Sequence, residues 1–423
     1  MNLQNNKSFI KNVATLITGT VIAQIISLLG LIYIQRYYYG PEEFANFKLF
    51  YEFAAIFVGI SALKLETGIV LEKNDNAARM LTNLSLKLVL ITGLISFIAL
   101  IAYSQFDSNL MKITNNIYLL ILLPVTVVSL GFTQVFNSWF TRKNSFKLMS
   151  VNKVSQNATS LFGQVIFAIS SVKSSGLIYG RTIGLFVSNL IFFFKYLKNR
   201  PAIQKEKGDE KRMIVKHNKF IYFTSPSVLL GGVVNFLLID LFMKYYGDDF
   251  SGKIGSAYHY LGVSIAVITT SFAQVYYSKL STIESKEELR KNYTFWFLRL
   301  FLIAFIGVII MQFIPNSWDE IVLGKAWSGT LEIMKIMSIW MGIMFVSSSL
   351  SYIYIKLGRQ KEMLFFNCIH IILVYLSISY SHDIYKDSFT SLWWFTLTQS
   401  FFYLLIMVVT YIFIGKFKSE TTK

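Results

Sequence analysis

The sequence predicts an all-α integral membrane protein with twelve transmembrane helices in two six-helix lobes, and three observations carry that prediction. Twelve apolar stretches of about 20 residues fill most of the 423-residue chain, the length an α-helix needs to cross bilayer hydrocarbon. Hydrophobic residues make up 54% of the chain and charged residues 15%, with a mean hydropathy of +0.51, which excludes a water-soluble globule. The connections between stretches alternate in charge, with about four times as many Lys and Arg in one alternate set as in the other.

In chain order the spans are expected near 13–34, 44–65, 84–104, 117–140, 154–172, 176–197, 220–243, 254–277, 293–314, 330–355, 362–380 and 389–415. The first is preceded by Lys7 and Lys11 but is long, lacks a small-residue cleavage site and leads into further spans, so it reads as a retained helix and not a signal peptide. The formal charge of +17 would suggest nucleic acid in a soluble protein. Here the cations sit in the connections, and the positive-inside rule turns them into an orientation with both termini cytoplasmic.

The chain also repeats. Arg36-Tyr37-Tyr38-Tyr39-Gly40-Pro41-Glu42-Glu43 follows the first span, and Lys244-Tyr245-Tyr246-Gly247-Asp248-Asp249 follows the seventh. Each places aromatic anchors, a Gly for a sharp turn and two acids at one corner. Lys198 to Lys219 is the longest and most basic connection, which divides the chain into a lobe at 1–197, a cytoplasmic linker at 198–219 and a second lobe at 220–423. Six helices per lobe gives both the same orientation, as parallel repeats in transporters have.

Candidate functional residues are charged or irregular positions inside spans, where burial in hydrocarbon costs a few kcal/mol. Glu52 lies about 12 Å into the second span by helical rise. Lys48, one turn away on the same face, offers a simple i,i+4 partner. Under the repeat, Glu52 corresponds to His259, so each lobe carries an ionisable group at one depth and both are cavity candidates. Arg181 and Arg299, like Lys335 and Asp240, lie nearer span ends, where snorkelling competes with a binding role, and Lys48, with Arg36 near the outer mouth, is the cavity candidate for attracting an anionic group. Pro226, in Ser225-Pro226-Ser227 ahead of Gly231-Gly232, predicts a kink in the seventh helix, either static or a hinge. Gly176, Gly180 and Gly184 form two GxxxG steps that predict close helix packing.

Other signals are weaker. Gly247 to Lys253 matches the start of a phosphate-binding loop, but Ile254 stands where a Ser or Thr must hold magnesium. Cys368 is single and the four His residues lack ligand spacing, so neither a disulfide, a metal nor a cofactor is expected.

The Tyr39-Gly40-Pro41-Glu42-Glu43-Phe44 corner, the Lys11-Asn12 pair, twelve spans and a basic central linker resemble the Wzx-type polysaccharide repeat-unit flippases of the MOP superfamily, to which the MATE exporters belong. That resemblance implies a bacterial inner-membrane protein, not an enzyme, that moves an undecaprenyl-diphosphate-linked oligosaccharide across the bilayer. It further implies alternating access coupled to H+ or Na+, and a polysaccharide polymerase and a chain-length regulator as partners. The second corner lacks the Pro. Two other functions compete: a MATE-like exporter of small cations, which wants an acidic cavity, and a membrane-embedded polymerase or transferase, which usually needs a large outer loop.

Overall fold

A computed structural model describes residues 21–72, 74–170, 172–199, 209–218, 220–281 and 283–417. Lys7, Lys11, the start of the first span and most of the basic linker lie outside these residues. The described chain is helical. Its elements are α1 (Val21–Tyr37), α2 (Pro41–Ile60), α3 (Glu66–Leu71), α4 (Asp75–Ser104), α5 (Ser108–Thr114), α6 (Ile117–Arg142), α7 (Phe146–Ala168), α8 (Lys173–Asn199) and α9 (Asp209–Lys216). After a π-helical turn at Phe220–Thr224 come α10 (Ser225–Ser281), α11 (Lys286–Phe313), α12 (Trp318–Leu323), α13 (Thr330–Ser349), α14 (Ile353–Lys356), α15 (Gln360–Tyr385) and α16 (Ser388–Gly415).

Gly247, at φ 86°, divides α10 into two arms, and with that division the long helices match the twelve expected spans. Several ends differ. The second span stops at Ile60, because Leu63 and Lys64 take left-handed φ and turn the chain into α3. The tenth ends at Ser349 and not at 355. Side-chain caps set several starts: Asp107 accepts from the Asn109 and Leu110 amides at 2.9 Å, and Asn116 accepts from that of Tyr118 at 3.0 Å. Each such cap contributes about 1 kcal/mol.

The two corners, expected to be alike, are built differently. Gly40 is extended, at φ −87°, and caps α2 while its amide donates to Glu43 Oε2 at 2.8 Å. Pro41 begins that helix, where its missing amide costs nothing. Gly247 instead needs its left-handed backbone, which an L-residue adopts only with strain.

The described residues form two compact units, ending and beginning at Phe236 and Leu237 within α10. In the first, α7 and α8 pack most intimately. A Cβ on Gly163 would come within 2.9 Å of the Gly180 Cα, so only glycine permits the approach predicted for the GxxxG face. An apolar core of Leu81, Phe136, Trp139, Phe192 and Tyr196 joins α4, α6 and α8. In the second unit Tyr293, Phe345, Tyr354 and Phe402 hold α11, α13, α14 and α16 together.

Among the described residues eight helices are long and apolar enough to cross a membrane, with α10 counted once. The protein is a multi-pass membrane protein. α2 and α7 fall below that mark for a reason that matters to the site. α2 holds Glu42, Glu43, Lys48 and Glu52, and α7 holds Asn152, Lys153, Gln156, Asn157 and Gln164. Lipid tolerates such helices only when their polar groups find partners or a cavity.

Candidate functional site

α2 brings the first candidates together. Lys48 Nζ lies 2.5 Å from Glu52 Oε1, with Lys48 only 7% exposed, so the i,i+4 pair that the spacing allows is formed. Tyr51, between them in sequence, bonds Thr182 Oγ1 of α8 at 3.0 Å. Thr182 bonds Thr126 of α6 at 3.1 Å, which makes it the junction of three helices. The seam continues along α8: Asn189 donates to the Ser129 carbonyl at 2.7 Å and accepts from Thr133 Oγ1 at 3.1 Å. Asn152 of α7 donates to Ser188 Oγ at 2.6 Å. Interhelical bonds of this kind contribute about 0.6 kcal/mol each in a membrane protein, so the seam specifies register more than it adds stability.

Arg181 precedes Thr182 and lies within electrostatic reach of Tyr51. Among the described residues it has no carboxylate partner. Lys48 and Arg181 against Glu52 therefore leave the polar interior of the first unit with an excess of one positive charge, counted over these residues. Thr182, Thr126 and Asn189 were not singled out by sequence, because a Thr or Asn in an apolar span carries no charge to flag it. Spacing gives a faint signal, since Arg181 and Thr182 adjoin the GxxxG face.

The remaining candidates are dispersed. Arg36, at the end of α1, is exposed with its guanidinium 5.7 Å from the Tyr37 ring. Arg299 is exposed on α11 and lies 3.3 Å over the Phe295 ring, back toward the helix start, as snorkelling requires. His259 belongs to the second unit, on the second arm of α10, with its ring 6.2 Å from that of Tyr260. Pro226 is the second residue of α10, directly after the π-helical turn. The missing Pro amide and the clash of its ring with the preceding turn are satisfied there by widening that turn. His370, in α15, bonds Gln399 Oε1 at 2.7 Å and stacks on Phe402 at 4.1 Å.

A second charged constellation, not anticipated, gathers where α3 meets α4. Glu72, between α3 and α4, is 6% exposed and takes Lys216 at 2.7 Å and His217 Nε2 at 2.8 Å. Its carbonyl accepts from Arg142 Nε at 2.9 Å. Burial pushes the Glu72 carboxyl up, but the hydrogen bonds from Lys216 and His217 outweigh it and hold the group below the usual carboxylate range. Asp75 closes the cluster by pairing with Arg142 and with Lys143 at 2.7 Å.

Residues 9–199 match a family described as polysaccharide biosynthesis protein. An inward-facing multidrug-resistance MATE transporter of the MOP superfamily superposes at TM-score 0.70 over 95% of each chain, at 15% identity. The chain has the fold of that structure. Two further structures agree: DinF-BH, a MATE multidrug transporter solved with a bound ligand, at TM-score 0.65, 14% identity and 97% of each chain, and a MOP transporter from Pyrococcus furiosus at TM-score 0.61, 16% identity, 97% of this chain and 96% of that one. No curated protein sequence matches. The polar seam of the first unit lies within the segment that matches the polysaccharide biosynthesis family.

Proposed function

We propose that this membrane transporter is a flippase for undecaprenyl-diphosphate-linked oligosaccharide, carrying it from the cytoplasmic to the periplasmic leaflet of the bacterial inner membrane by alternating access. The observation that carries the reading is the surplus cation of the first unit, Arg181 beside the Lys48–Glu52 pair, within the segment that matches the polysaccharide biosynthesis family. A diphosphate is a dianion or more and needs a cation that is not already neutralised by a neighbour. Tyr51, Thr182 and Asn189 offer the hydroxyl and amide groups that sugar recognition uses.

Glu52 and His259 are the groups we assign to coupling with H+ or Na+, and Pro226 to a hinge. A polymerase and a chain-length regulator are the expected protein partners. Export of small cations is the second reading, and it predicts an acidic interior. The Pyrococcus furiosus structure is described as having a binding pocket of reverse polarity that suggests a different function, so the fold accommodates both signs.

The test is a deletion strain. It should accumulate undecaprenyl-linked repeat units on the cytoplasmic leaflet, and Arg181→Lys should restore surface polysaccharide better than Arg181→Gln. Normal polysaccharide in a strain with no redundant transporter would refute the proposal.

A further inference from the structure

Within the second unit, α11 and the second arm of α10 frame a cleft of about 700 Å³. Two contacts close its ends. Lys279 Nζ lies 3.9 Å from Glu288 Oε1 at one end, and the Phe272 and Trp296 rings meet at 5.0 Å between centroids at the other. By helical rise the aromatic end is about 10 Å further along α10 and about 12 Å further along α11, so both helices give the cleft the same direction. α10 carries no Lys, Arg, Asp or Glu between Lys253 and Lys279, and α11 carries none after Arg299. The Lys279–Glu288 end therefore faces the headgroups and the Phe272–Trp296 end faces hydrocarbon.

Between these ends the wall is polar and unanswered. Tyr276 is 2% exposed and its hydroxyl has no hydrogen-bond partner among the described residues, and neither has the amide oxygen of Asn292. Native interiors rarely leave such groups unpaired. Lys291, about one turn inside the mouth and level with Tyr276, has no carboxylate in ion-pair reach among the described residues. With Lys279 set against Glu288, the lining carries one positive charge in surplus, and Arg299, folded back over the Phe295 ring at 3.3 Å, adds to it.

We propose that this cleft holds one anionic phospholipid. Its phosphate oxygens accept from the Lys291 ammonium and the Tyr276 hydroxyl, a headgroup hydroxyl donates to the Asn292 amide oxygen, and the start of an acyl chain lies over Phe295 and Trp296. The charge surplus selects a net negative lipid over a zwitterion, by roughly fivefold for the Lys291 charge. The site is independent of the molecule that the protein transports.

The experiment uses the full chain with Cys368→Ser and Leu298→Cys, labelled with a fluorophore. Leu298 is 59% exposed and lies two turns beyond Lys291 on α11, at acyl-chain depth. The nanodiscs contain phosphatidylglycerol and phosphatidylethanolamine at equal mole fraction, with one or the other brominated on its acyl chains. Brominated phosphatidylglycerol should quench the label several times more strongly than brominated phosphatidylethanolamine. Lys291→Gln with Tyr276→Phe should bring the two close to equality, whereas Lys195→Gln, which removes an exposed cation from the first unit, should leave the preference intact. Equal quenching in the protein with native Lys291 and Tyr276 would overturn the proposal and leave only unselective lipid at this face. A preference that survives loss of both groups would overturn it as well. An excess of soluble glycerophosphoglycerol, the same headgroup without acyl chains, should not abolish the preference; if it does, the cleft takes a free phosphodiester and not a lipid. The first comparison is made without altering the cleft, so a poorly folded variant does not obscure it.

Discussion

The Lys48 ammonium rests 2.5 Å from the Glu52 carboxylate, one helical turn away within α2, and both side chains are largely buried. In hydrocarbon neither charge is tolerated alone, so each is the condition for the other.

Glu52→Gln should therefore lower abundance by taking from the buried Lys48 its carboxylate partner in α2, at a cost on the order of 2 kcal/mol. Adding Lys48→Met should restore abundance. Transport should stay low in the double variant, because the interior loses the charged groups proposed to meet substrate or coupling ion. Recovery of both abundance and transport, read by immunoblot and surface polysaccharide, would reduce the pair to a local structural device.

The Glu72 cluster gives a pH dependence. Its carboxyl is held below the unfolded value, so the folded state binds fewer protons and gains stability as pH rises through that window. The contribution is complete above the unfolded carboxylate range, about pH 4.3, and is lost as pH falls through the lower folded value. Amide exchange across α9 should accelerate in acid, and Glu72→Gln should show fast exchange already at neutral pH. An unchanged exchange profile in that variant would mean that other contacts hold α9.

Gly180→Leu should push α7 and α8 apart, since even a Cβ at that position meets the backbone and side chain of Gln164. Overpacking of this kind costs roughly 1–3 kcal/mol, read as a lower melting temperature in detergent. Gly231→Leu, where a Cβ meets nothing within 4 Å, is the control and should melt like the native protein.

Pro226→Ala restores an amide and removes a ring clash, so the π-helical turn before it should tighten to α-helix. If the position is a hinge, exchange between inward- and outward-open states should slow, as seen in spin-label distance distributions. Identical distributions and identical transport would mark it as a static irregularity.

Orientation follows from charge alternation alone and is directly measurable. With Cys368 replaced, cysteines at Asn115 or Asp383 should react with an impermeant thiol reagent from outside, and cysteines at Lys207 or Lys286 should not. The reverse pattern would invert the topology.

Long periodic features were legible in the sequence because each rests on many residues: among the described residues the apolar runs become helices, and the glycine ladder of α8 becomes a helix contact. The Lys48–Glu52 pair was legible because i,i+4 spacing is a local geometric fact. What stayed hidden depends on residues far apart in the chain. α9 reads as polar linker until Glu72, 144 residues from Lys216, supplies its partner. The role of Thr182 needs α2 and α6 beside it. The two corners looked alike because both contain Gly, and residue type does not say which glycine takes a left-handed φ.

α7 places a demand on how the chain enters the membrane. Asn152, Lys153, Gln156, Asn157 and Gln164 leave it with little to gain from leaving the insertion channel for lipid by itself. Its polar groups are answered mainly by α8, where Ser188 accepts from Asn152 and the Leu177 carbonyl accepts from Gln164 at 3.1 Å. Partition of the two as one hairpin is the economical route, and it makes α7 wait until the ribosome has delivered α8. A chain arrested before Asn199 should then leave α7 unintegrated and open to proteolysis, so that the commitment of this segment to the bilayer is set by the timing of translation.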